Sequence, residues 1–181
     1  MQSETRLREY LSGEQKLLAE LSRQLQAEAD RIAANCRVSE EFAFVDPGFL
    51  DLFWRCWREH LRPHTFLIFQ GLADPDKAAD SLLLQTLAGL SRQVPDLAAA
   101  QHRYLQGQRQ AAWDLSRGLT ALADLAAELA RLAAAKLTPT GLNPGLTSDL
   151  KKLQELIPPA SALAAAQQLV QKLGQKRCCH D

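Results

Sequence analysis

The segment WRCWREHLRPH, residues 54–64, places Cys56, His60 and His64 at successive intervals of four residues. Side chains four apart share one face of an α-helix, so a thiolate and two imidazoles at this spacing could hold zinc, copper or a haem iron. Such a centre needs further ligands, and the C-terminal run KRCCHD supplies Cys178, Cys179 and His180. Together the two segments carry three of the four cysteines and three of the four histidines. The donor types suit a metal, but there is no C-x-x-C pair and His64 lies beyond Pro63, off the helical register.

The same residues also have a packing explanation. On a wheel of about 100° per residue, Asp51, Arg55, Arg58 and Glu59 cluster on one side, and apolar residues fill the remaining arc. Cys56 and His60 fall inside that arc, beside Phe49 and Phe53. A free cysteine packs as a small hydrophobe, and a histidine near a helix C-terminus interacts well with the last carbonyls. Packing is the favoured reading of this stretch, with a metal or haem site as its alternative. Cys178 and Cys179 could also accept a lipid, although CCHD is a poor match to a prenylation box.

Recognisable catalytic spacing is missing. The sequence has no phosphate-binding glycine loop, no G-x-S-x-G elbow and no H-E-x-x-H pair. Glu59 adjoins His60, which is the wrong spacing for the E-x-x-H of a di-iron bundle. Glu14, Glu28 and Glu128 sit at or near helix seams, where solvation or salt bridging accounts for them. These features predict a protein without enzymatic activity and without a required cofactor.

The elements that must position these residues are helical. Leu11, Leu18, Leu25 and Ile32 recur every seven residues, with Leu7 and Leu21 interleaved. Glu14 and Glu28 interrupt that seam, which suits a bundle helix over about 3–35 better than an autonomous coiled coil. Asp46-Pro47 signals a second helix start, and Pro63 predicts its end near Leu61. TFLIFQG (65–71) reads as a short buried helix, since no second strand is there to pair with it. Asp74-Pro75 predicts another start, and Pro95 predicts the close of that helix.

Leu115, Leu119, Leu122, Leu125, Leu129 and Leu132 alternate steps of three and four, so the longest helix is expected over 96–137. Gly107 and Gly118 mark possible bends or tight crossings within it. The expected fold is all-α: an elongated bundle of two long helices, about 3–35 and 96–137, and several shorter ones. The domain reading is a helical core over 1–137, a Pro/Gly linker over 138–148, a helical hairpin-like segment over 149–174 and a Cys-rich tail over 175–181.

Bulk properties narrow the function. The 181 residues are long enough for one cored domain, 46% are hydrophobic, and 21 basic residues balance 21 acidic ones. The interleaved signs argue against a nucleic-acid surface. No membrane span or leader is expected, and cytoplasmic location with reduced thiols follows. The surplus of apolar helix surface points to a scaffold or adaptor acting through a protein partner or homo-oligomer. Trp54, Trp57 and Trp113 are the candidate interface anchors, because buried aromatics dominate such contacts. A second alternative is an amphipathic coat on a lipid or polymer inclusion.

Overall fold

A computed structural model of the chain describes residues 2–38, 47–107, 110–138, 141–142 and 150–178. It is an all-α bundle. Helix α1 (Gln2–Val38) is followed by α2 (Pro47–Cys56), a π-helical segment (Trp57–Thr65) and α3 (Phe66–Leu72). Then come α4 (Ala78–Leu105), α5 (Gln110–Ala135), α6 (Leu150–Leu156) and α7 (Ala160–Cys178). A minimal antiparallel ladder joins β1 (Leu137–Thr138) to β2 (Gly141–Leu142), at the start of the segment expected to be linker.

Cross-links between helices give the directions. Ser22 Oγ donates to the Ala123 carbonyl at 2.7 Å and Ser116 Oγ to the Ala29 carbonyl at 2.8 Å, so α5 runs antiparallel to α1. Leu97 abuts Gly118 and Leu125 abuts Gly89, which makes α4 and α5 an antiparallel hairpin. Leu163 lies on Gly13 and Gln24 lies on Gly174, a constant offset that sets α7 parallel to α1. Leu18, Leu21 and Leu25 of α1 meet Phe53 and Trp57, Leu90 of α4, and Leu122 of α5 at the centre. α1 and α5, and α5 and α4, thus run antiparallel around one core, and α7 packs on α1 and α2.

The α1 seam is buried as its spacing predicts: Leu7, Leu11, Leu18, Leu21, Leu25 and Ile32 all lie in the core. On α5, Leu115, Leu119, Leu122, Leu129 and Leu132 are buried and Leu125 is half-buried. TFLIFQG is helical, with Ile68 and Phe69 in the core.

Four boundary expectations are corrected. Pro63 does not end its helix; the chain widens instead, and the Phe66 N–H bonds the Leu61 carbonyl five residues back. In an α-helix the proline ring would meet the Glu59 carbonyl, and the wider turn relieves that clash. Pro95 does not close α4, which continues to Leu105 with Pro95 on its exposed side. The helix expected from Asp74-Pro75 begins later, at Ala78, because Asp74 Oδ1 accepts the Asp76 N–H in a turn. The long helix expected over 96–137 is broken by Gly107, whose φ of 84° is the left-handed conformation that terminates helices. The Asp46 cap lies outside the described residues.

Candidate functional site

The described chemistry of residues 54–64 converges on Glu14. Its side chain is 0% exposed and His60 is 2% exposed. Glu14 Oε1 lies 2.6 Å from His60 Nε2, and Thr65 Oγ1 donates to Glu14 Oε2 at 2.9 Å. The π-helical segment makes this pairing possible. Residues five apart would be turned roughly 140° from each other in an α-helix, whereas in a π-helix they are one hydrogen-bonded turn apart. Pro63 therefore helps bring His60 and Thr65 onto one face, where each takes one oxygen of the same carboxylate.

Three more polar groups surround the pair. Tyr10, one turn before Glu14 on α1, is buried beside Glu14 and Thr65; burial first, then the Glu14 charge, raises its pKa. Burial likewise pushes the Cys56 thiol up to about 12, with Glu14 and Glu59 adding to it. His64 is half-buried, its ring centroid 5.8 Å from that of His60. Burial and then the His60 charge hold the His64 imidazole below its ordinary range. Glu59 itself is exposed. Among the described residues, the Tyr10 hydroxyl and His60 Nδ1 are buried without a hydrogen-bond partner.

The structure thus brings Cys56, His60 and His64 to one region but not into a ligand set. His60 Nε2 is taken by Glu14, and a thiol with a raised pKa resists becoming the thiolate that a metal binds. Among the described residues, no three His, Cys, Asp or Glu side chains gather to hold a metal ion. The Cys178 side chain, Cys179 and His180 lie outside the described residues. Glu14 is not solvated, as one of its two expected roles required; Glu28 is buried against Arg31, and Glu128 pairs with Arg131 at 2.6 Å. Glu14 was visible in the sequence as an acid in an apolar seam. Tyr10 and Thr65 carried no comparable signal.

The candidate anchors have intramolecular contacts. Trp57 is 7% exposed and meets the Phe66 ring edge-on at 5.3 Å. Trp54 Nε1 donates to Gln101 Oε1 at 2.6 Å, tying α2 to α4, and Trp113 is half-buried against the core. Among the described residues, no helix is long and apolar enough to cross a membrane.

A separate opening lies on the outer side of the α4–α5 hairpin. It is a groove of about 530 Å³ between Asp96 and Arg103 of α4 and Asp114 and Arg117 of α5. Its floor is made of small side chains, Ala100, Gly118 and Ala121. Arg103 Nη2 reaches Asp114 Oδ2 at 3.2 Å, and Arg117 bonds the other oxygen of the same carboxylate. Neither motif nor heptad spacing marked this groove, because it depends on how two helices lie side by side. Comparison with known protein families, with characterised proteins and with solved structures returns no match.

Proposed function

We propose that this protein is a non-enzymatic helical interaction module, a scaffold or adaptor whose docking surface is the α4–α5 groove. The observation that carries this reading is the contrast between the two regions described above. The acid, imidazole and thiol groups suited to chemistry are buried between α1 and the π-helical segment. The groove is open, has a floor of small side chains and is edged with charge of both signs. Small residues allow a partner helix to approach closely, and rim charges choose its register and orientation. The anchoring role therefore moves from Trp54, Trp57 and Trp113 to the groove. The coat alternative has less support, since among the described residues the exposed large hydrophobics, Leu67, Leu82, Leu105 and Leu156, are scattered over three helices.

The test places a photo-crosslinking residue at Gln93, in the groove, and as a control at exposed Arg58. A defined crosslinked species is expected from Gln93 alone, and Ala121→Trp, which fills the floor, is expected to abolish it. Identical products from both positions, or none from Gln93, would remove the groove as a docking surface.

A further inference from the structure

We propose that the occupant of this groove is a second copy of the chain, its α4 lying antiparallel on α4 about a two-fold axis between Ala99 and Ala100. The inference rests on the reading of the groove as a docking surface and adds the identity of the partner.

The charge pattern of α4 carries the argument. Asp96 and Arg103 both line the groove and are seven residues apart, two helical turns or roughly 10.5 Å, so they share one face. A two-fold contact must be self-complementary: if one residue meets another, the reverse contact also occurs. An axis midway between Asp96 and Arg103 sets each aspartate opposite the arginine of the other copy. The midpoint falls between Ala99 and Ala100, where small side chains let two helix backbones come together.

The unbalanced charges fit the same arrangement. The Asp96 carboxylate makes no hydrogen bond or ion pair among the described residues. At the other end, Arg103 and Arg117 share the single Asp114 carboxylate, which leaves one positive charge in excess. An incoming Asp96 would supply the missing negative charge, while the incoming Arg103 would meet the unpaired Asp96. A polyanion would meet Asp96 and Asp114 along with the arginines, so the groove is ill suited to one.

Exposed ion pairs contribute little each, and a stable interface covers about 800 Å² per partner. A single α4–α4 crossing supplies less area, so the dimer is expected to be concentration-dependent and weakened by salt.

The experiment measures the solution mass of the full chain by sedimentation velocity across a concentration series at low and high salt. Wild type is expected to dimerise, and Asp96→Arg and Arg103→Asp each to weaken dimerisation at least tenfold. The double variant D96R/R103D restores the pairs with reversed sign and is expected to recover the wild-type constant within a few-fold. Circular dichroism checks that each variant is folded. An independent readout is Ala99→Cys in a Cys178→Ser/Cys179→Ser background, where mild oxidant should yield a disulfide-linked dimer.

A wild type that stays monomeric, a double variant that fails to recover, or an Ala99→Cys chain that does not link would each overturn the proposal. The docking reading fails separately. If wild type is monomeric but Gln93 crosslinks another protein in an Ala121→Trp-sensitive way, the groove is a docking surface and only the second copy is wrong. If Gln93 crosslinks nothing, both fail.

Discussion

Glu14 of α1 and His60 of the π-helical segment meet at 2.6 Å with neither side chain open to water. Removing one partner from a buried pair leaves the other without compensation, which costs about 3–5 kcal/mol, whereas replacing both with apolar groups can cost little. Glu14→Ala also strands Thr65, so it is expected to destabilise by about that amount. Glu14→Leu combined with His60→Phe should lose much less than the sum of the two single changes. Urea unfolding of the four chains closes the cycle. Additivity within about 0.5 kcal/mol would mean that the two residues do not act as a pair.

Cys56, on the same face one turn before His60, gives an alkaline prediction. Its thiol is pushed up to about 12 in the folded chain, against about 8.5 for an unfolded cysteine. Between those values the unfolded chain has lost the proton that the folded chain retains. Stability is therefore fully present below about pH 8.5 and falls as pH rises toward 12, by about 1.4 kcal/mol per unit for one such group. Tyr10, also raised by burial, adds to the loss once pH passes about 10. Denaturant midpoints from pH 8 to 11 should fall for wild type and fall less steeply for Cys56→Ala. Iodoacetamide, followed by peptide mapping, should modify Cys56 only as the chain unfolds. Rapid labelling of the native protein would show that the thiol is accessible.

The seams of α1 and α5 were legible in the sequence because every residue on them obeys the helical period. Prolines were misleading. Pro63 and Pro95 read as helix ends, since their local cost is certain while the tertiary contacts that offset it are not local. At Pro63 those contacts are the bonds from His60 and Thr65 to Glu14, 46 and 51 residues away in sequence. The Cys56/His60/His64 spacing drew attention to this stretch. Its true partner was the acid that had looked like a flaw in the α1 seam. The groove was hidden for a different reason: Asp96, Arg103, Asp114 and Arg117 are ordinary surface residues until the Gly107 turn folds α4 against α5.

Asp80 and Lys136 link the start of α4 to the end of α5, and both side chains are largely shielded, at 4% and 16% exposure. Burial alone would raise the Asp80 pKa; the Lys136 ammonium and the Asp74 N–H outweigh it and hold the carboxyl below its ordinary value. A folded-state pKa below the unfolded one gives stability that is present above about pH 4 and is lost as pH falls through the folded value. Lys136→Met leaves the buried carboxylate without its cation and is expected to cost about 1–3 kcal/mol at pH 7. The same variant should lose less stability than wild type on acidification, because its Asp80 no longer favours ionisation. Denaturant midpoints at pH 7, 5 and 3 check both statements. Parallel curves for the two chains would show that the pair does not contribute to acid sensitivity.

At Gly13 on α1, α7 packs closely through Leu163. A Cβ built there would meet Leu163 Cδ2 at 2.5 Å, and Leu163 can turn that methyl aside. Gly13→Ala combines this modest crowding with a helix-propensity gain of about 1 kcal/mol, so it is expected to be close to neutral. Gly13→Leu is different, since its branched side chain needs the volume that Leu163 occupies and the helix must shift. Hydrogen exchange over residues 160–175 should accelerate in Gly13→Leu while protection of the α4–α5 hairpin is kept, because that hairpin does not depend on α7. Limited trypsin digestion should then cut first at Lys172, an exposed site on α7. Uniform loss of protection along the whole chain would mean instead that α7 and the rest of the bundle unfold as one cooperative unit.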